Sequence, residues 1–137
     1  MPARDHLRVV FEALDLDERM WGIVLRGQGE HFVSGGDIKG FREAPPEHGS
    51  KLVWNMGTPA RIGKPLIAAA RGYCFGVGFK VSLAFDFRVV TDTTLYVLPE
   101  QKLGQIPGSG GSARLPKMVG ITRTKDIVMR SRRIPGP

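Results

Sequence analysis

The stretch LAFDFRVVTDTTLYVLPEQKLGQIPGSGG, residues 83–111, decides how the chain folds. FRVVT (87–91) and LYVL (95–98) are short runs rich in β-branched and aromatic residues, the composition of strands. Asp92-Thr93-Thr94 between them reads as a turn. Glu100 then falls at a strand end, and Pro107-Gly108-Ser109-Gly110-Gly111 leads into a predicted helix over 112–119. Strands that feed a carboxylate and a glycine loop just before a helix describe an α/β domain with a ligand-facing end.

The alternation continues outward. Residues 5–19 carry Leu7, Val10, Phe11 and Leu14 at helical spacing. WGIVLRG (21–27) is a short apolar run closed by glycine, the pattern of a buried strand. In GQGEHFVSGGDIKGF the paired glycines predict a tight loop before a short helix. REAPPEHGS (42–50) reads as a polar Pro-rich loop, a candidate lid. A helix is predicted over 51–61, a strand over PLIAAARG (65–72) and a short helix over 76–85. A last helix over 122–129 is stopped by RRIPGP. The fold class is α/β.

The 137 residues suffice for one domain with a real core and are too few for two. The N-terminus mixes acids with bases and lacks the apolar core of a secretion signal, so a cytoplasmic location is expected. No segment has the length and charge depletion of a membrane span. The net charge of +7 is unevenly spread: residues 1–113 hold 13 basic against 12 acidic side chains, residues 114–137 seven against one. A basic tail attracts polyanions in general. It carries no interleaved aromatic residue to stack on bases, so no nucleic-acid partner is expected. One cysteine, Cys74, between Tyr73 and Phe75, points to burial.

Two glycine loops are candidates for backbone contact with a ligand, SGGDIKG (34–40) and GSGG (108–111). Neither fits a phosphate-loop or dinucleotide fingerprint. Glu100 reads either as a capping or salt-bridge residue or as a general acid/base. Asp86 and Arg88 could form a strand-edge pair, and Asp37 could cap the short helix that follows it. His6, His31 and His48 show no metal-ligand spacing, and no metal is expected. Composition and spacing stop there.

The order of motifs goes further. GIVLRGQGEHFVSGGDIKGF (22–41), KPLIAAARGYCFGVGFKVSLAFDFRVV (64–90) and YVLPEQKLGQIPGSGGSARLPKMVG (96–120) together resemble the enoyl-CoA hydratase/isomerase, or crotonase, family. The resemblance covers most of the chain and implies a spiral of ββα units, here a single partial domain over residues 1–137, incomplete at both ends. It implies an acyl-coenzyme A thioester substrate, with coenzyme A as part of that substrate and no tightly bound cofactor. It also implies a homo-oligomer, a trimer in the family.

By the same resemblance the backbone N–H groups of Gly36 and Val77 would form an oxyanion hole for an enolate. Ser34, Gly36, Asp37, Ile38, Gly76 and Gly108 would lie along the ligand, with Arg26, Lys39 and Lys64 as looser candidates for phosphate contacts. Glycine is usual in the family where Val77 stands. Valine there would strain the donor if the position needs a φ open only to glycine, and would otherwise narrow the acyl pocket. Gly108 would lie near the water or acyl site, where its small size avoids a clash. Phe75 and Phe79 would line the pocket or fill the core.

Glu100 matches one of the two glutamates that hydratases place around a water molecule. The position of the other holds Lys80. A protonated lysine cannot act as a base, and beside Glu100 it would favour the ionised carboxylate. Three functions follow: a hydratase/isomerase-like enzyme, a single-carboxylate enoyl-CoA isomerase, or an inactive truncated pseudoenzyme.

Overall fold

The computed structural model of the chain describes residues 2–43 and 47–137. In chain order these form α1 (Pro2–Leu16), β1 (Ile23–Arg26), α2 (Ile38–Glu43), α3 (Glu47–Met56), β2 (Leu66–Ala70), β3 (Tyr73–Phe75), α4 (Val77–Ser82), β4 (Phe87–Val90), β5 (Leu95–Val97), α5 (Gly111–Met129) and β6 (Ile134–Pro135). Two 3-10 turns, Thr58–Arg61 and Glu100–Leu103, accompany them. The α/β alternation read from the sequence is the architecture observed.

β1, β2 and β4 make a parallel sheet in the order β1-β2-β4, with Ile23 opposite Leu66 and Ile67 opposite Phe87. Along β2, Leu66, Ala68 and Ala70 face the core. β3, β5 and β6 make the second sheet, β3 parallel to β5 and β6 antiparallel to it. The core between these elements holds Phe11, Leu66, Cys74, Leu98 and Leu115. Phe11 of α1 meets Phe85 edge-on, with ring centroids 5.8 Å apart. Asn55 Nδ2 ties α3 to α1 by donating to Asp5 Oδ1 at 2.6 Å.

Several boundaries differ from the sequence reading. α1 stops at Leu16 because Asp17 takes hydrogen bonds from the Arg19 backbone and guanidinium, making a turn. Lys64 Nζ then donates to the Leu14 and Asp17 carbonyls, closing the helix end. REAPPEHGS is not one loop: residues 42–43 end α2 and residues 47–50 open α3, while residues 44–46 lie outside those described. The helix predicted over 51–61 divides at Gly57, where α3 gives way to the 3-10 turn with Pro at its start. β3 and β6 were not expected as strands. Each spans only two or three residues, too few to show a period, and pairing with β5 creates both. The two predicted C-terminal helices are the halves of α5, divided at Gly120 (φ +79°, ψ 163°).

Candidate active site

Two parallel strands deliver the central residues. β3 and β5 run in register from Tyr73 opposite Leu95 to Phe75 opposite Val97, so both chains leave the sheet at the same end. Carboxyl ends of parallel strands are where α/β folds gather ligand contacts. After β3 the chain turns at Gly76 into α4, and after β5 it turns through Leu98 and Pro99 into the 3-10 turn that carries Glu100. Gly76 has φ +49°, a conformation that disfavours any side chain. Its N–H donates to Val97 O at 2.8 Å, fixing this hinge to β5.

Val33, which precedes the glycine loop at 34–36, is fixed beside β3 and α4. Val33 bridges Cys74, its N–H donating to Tyr73 O and its carbonyl accepting from Phe75 N. The chain after Val33 therefore leaves beside the start of α4. α4 rests directly on Val33, since a Cβ at Gly78 would lie 2.7 Å from the Val33 Cβ and carbonyl oxygen.

At the centre lies an ion pair. Lys80 Nζ stands 2.9 Å from Glu100 Oε1, and both side chains are only 10% exposed. Glu100 Oε2 is buried and has no hydrogen-bond partner among the described residues. The first turn of α5 presses on the lysine stem: a Cβ at Gly111 would sit 3.1 Å from Lys80 Cγ and 3.2 Å from Pro107 Cβ. Two successive left-handed residues, Ser109 (φ 50°) and Gly110 (φ 83°), shape the turn that places Gly111 there. The Ser112 hydroxyl and N–H both donate to Pro107 O, locking it.

The fold brings together Lys80, Glu100, Gly76 and Val77. Val77 opens α4, where an N–H has no partner within its own helix. It is not strained. Among the described residues the non-glycines with positive φ are Ser109 and Ser131, and the left-handed step before α4 is taken by Gly76. Of the two alternatives weighed for Val77, the one that required a φ open only to glycine does not apply. Gly76 is a hinge whose N–H and carbonyl are both engaged, the latter by Lys80 N.

The other predicted positions take different parts. Gly36 is half-buried and Ser34 exposed. Asp37 Oδ1 accepts from Lys39 N and Gly40 N, so it caps α2, and Ile38 is exposed. A Cβ at Gly108 would meet no atom of the described residues within 4 Å; the close packing within this turn is at Gly111, a position the sequence reading did not single out. Lys64 is spent on the end of α1, whereas Arg26 and Lys39 are exposed. Asp86 and Arg88 are not an ion pair. Asp86 Oδ2 accepts from Leu66 N, and the Arg88 guanidinium donates to the Ser82 and Phe85 carbonyls. Phe79 belongs to the core, tilted against Tyr96 at 4.8 Å, and Phe75 stacks on Tyr73 at 4.6 Å.

Behind α4 the Cys74 thiol, the Ser82 hydroxyl and the Tyr96 phenol are neighbours. Burial pushes the thiol up to about 12 and the phenol up to about 12. Beside the PGSGG turn, Arg114 Nη1 reaches Ser109 O at 3.3 Å, and burial holds its guanidinium below the ordinary value. No group of three His, Cys, Asp or Glu among the described residues could hold a metal ion. No helix among them is long and apolar enough to cross a membrane.

Comparison with known proteins gives this geometry a setting. The sequence model of the enoyl-CoA hydratase/isomerase family matches residues 3–137. A carnitinyl-CoA dehydratase of Shigella flexneri is 40% identical over 122 residues, which are 86% of this chain and 47% of that protein. One from Salmonella arizonae is 41% identical over 115 residues, 81% of this chain and 44% of its own. Among solved structures, an enoyl-CoA hydratase from Bacillus anthracis superposes with a TM-score of 0.90 at 30% identity, covering 97% of this chain and 54% of that one. Pseudomonas aeruginosa DspI superposes with a TM-score of 0.89 at 28% identity, covering 97% and 53%. The chain spans about half the length of the curated relatives it matches.

Proposed function

Because the chain belongs to the enoyl-CoA hydratase/isomerase family, we propose that it binds an acyl-CoA thioester and moves a proton on it with a single carboxylate, Glu100. The thioester carbonyl oxygen would sit between the N–H groups of Gly36 and Val77, where two fixed dipoles stabilise the charge that develops as an enolate forms. Glu100 would take a proton from one carbon and return it to another, the chemistry of double-bond isomerisation. Coenzyme A would run along the loop from Ser34 to Ile38, with Gly108 leaving space beside the acyl group.

The observation that carries this reading is the asymmetry of Glu100. One carboxylate oxygen is held by Lys80 at 2.9 Å, and the other is buried without a partner among the described residues. Hydration by paired glutamates needs a second carboxylate to share the water, and an ammonium stands in its place. One free oxygen suffices for a shuttle.

A folded sample should convert a 3-enoyl-CoA to its 2-enoyl isomer and hydrate the latter far more slowly. Glu100→Gln should lower isomerisation by about 10²–10⁴-fold. Lys80→Glu should raise hydration. Efficient hydration by the unaltered chain would overturn this reading. A second reading, an acyl-CoA-binding chain without turnover, is favoured by the ion pair that ties Glu100 to Lys80. Ligand-dependent stability with neither conversion would select it.

A further inference from the structure

The ammonium at the centre of the site has its own chemistry. We propose that Lys80 is an acyl-acceptor site, at which the bound acyl group passes from the thioester sulfur to Nζ and remains as an amide. This inference rests on the acyl-CoA site proposed above.

Three observations place the groups. In an α-helix a long side chain leans back over the turn that precedes it, so Lys80 of α4 covers the turn that begins at Val77. Its Nζ is anchored at Glu100 Oε1, and that oxygen lies 3.7 Å from where a Cβ on Gly76 would be, next to Val77 in the chain. On its other side the stem packs against Gly111 at the start of α5, where a Cβ would lie 3.1 Å from Lys80 Cγ and 3.2 Å from Lys80 Cδ, so little room is left around it. A thioester carbonyl held at the Val77 N–H would then have its carbon within reach of a confined amine. Confining two reacting groups in a reactive geometry removes much of the entropic cost of such a reaction.

The step balances within the site. Glu100 accepts one proton from the Lys80 ammonium through the contact at 2.9 Å, freeing the nitrogen lone pair. The nitrogen attacks the thioester carbonyl carbon and forms a C–N bond. The negative oxygen of the tetrahedral adduct rests on the Gly36 and Val77 N–H groups. The adduct collapses with cleavage of the C–S bond, and the second proton leaving nitrogen goes to the coenzyme A thiolate. Glu100 returns its proton to solvent. The products are one N-acyl-lysine, one free thiol and one proton, with no oxidant or reductant.

Butyryl-CoA is the suitable probe, because a saturated acyl group can neither be hydrated nor add an amine across a double bond. Its thioether analogue, which cannot transfer the group, reports binding alone. The expected result is one butyryl group per chain, mapped to Lys80 by peptide mass spectrometry and matched by an equal release of thiol. It should form about tenfold or more faster than any adduct on Lys125, which is exposed on α5. Lys80→Arg should abolish it, Lys125→Arg should leave it unchanged, and Glu100→Gln should slow it. The mapping on unaltered protein decides the matter even if a variant fails to fold. If the thioether binds while Lys80 is labelled no faster than Lys125, the acceptor role is wrong and acyl-CoA binding stands. If the thioether does not bind, both fail.

Discussion

Lys80 and Glu100 hold each other in a place that excludes most water, and such a pair is far costlier to break than to replace. Removing one partner leaves a buried charge alone, so Lys80→Met and Glu100→Gln should each destabilise the fold by about 3–5 kcal/mol. The double variant should recover most of that loss. A double-mutant cycle by urea unfolding measures the coupling, and additive losses would mean the pair is not formed in solution. Cys74 and Tyr96 give a second prediction at this scale. The fold keeps both protonated to about 12, against ordinary values of 9.0 and 10.0. The unfolded chain loses these protons first. Their contribution is therefore intact below pH 9, and stability should fall as pH rises from about 9 through about 12. A flat alkaline limb in Cys74→Ala/Tyr96→Phe, beside a falling one in the parent, is the result that checks it.

The elements around the site are positioned by close backbone approach, and this makes certain glycines unequal. A Cβ at Gly78 would meet Val33 at 2.7 Å, backbone included, so Gly78→Ala should push α4 off its seat at a loss of about 1–3 kcal/mol. Gly108→Ala meets no atom of the described residues within 4 Å and should be nearly silent in thermal unfolding. A reversed order of these two would refute the packing described for α4. The contrast also marks the limit of what the sequence could tell. The α/β order, the strands FRVV and LYV, the short helix at 77–82 and the break between two C-terminal helices were all legible, because apolar periodicity and glycine punctuation are local. β3 and β6 were not, since strands this short exist through their partner. Within PGSGG the residues could be counted, but which glycine carries the packing depends on Lys80, thirty-one positions upstream of Gly111. That the lysine pairs with Glu100 could be anticipated only from the family resemblance. That the glutamate keeps one oxygen unpartnered among the described residues could be seen only in three dimensions.

Over the whole molecule, a parallel sheet is normally covered on both faces. Here Val24 and Phe87 flank Ile67 in one row, and both are more than half exposed, as is Val89 beside Ala69. Neither sheet closes on itself, and the relatives that share this fold are about twice as long. Exposed apolar area on this scale binds apolar dyes and favours association. Phe87→Thr with Val89→Thr should therefore reduce dye fluorescence while changing stability by no more than about 0.5 kcal/mol, as exposed positions do. Unchanged dye binding would place the exposed surface elsewhere. The tail beyond Ala113 holds most of the charge excess, yet Asp126 pairs there with Arg130 and Arg132, so part of it is already answered within the chain.

The central claim is that this chain holds an acyl-CoA site around Gly36, Val77 and Glu100. Equilibrium urea unfolding with and without a saturating acyl-CoA thioether tests it most directly. A ligand that binds only the folded state stabilises it by about 2.7 kcal/mol at a hundred times its Kd, so the account predicts one cooperative transition moved to higher urea. Superimposable curves, or a broad transition indifferent to ligand, would contradict it.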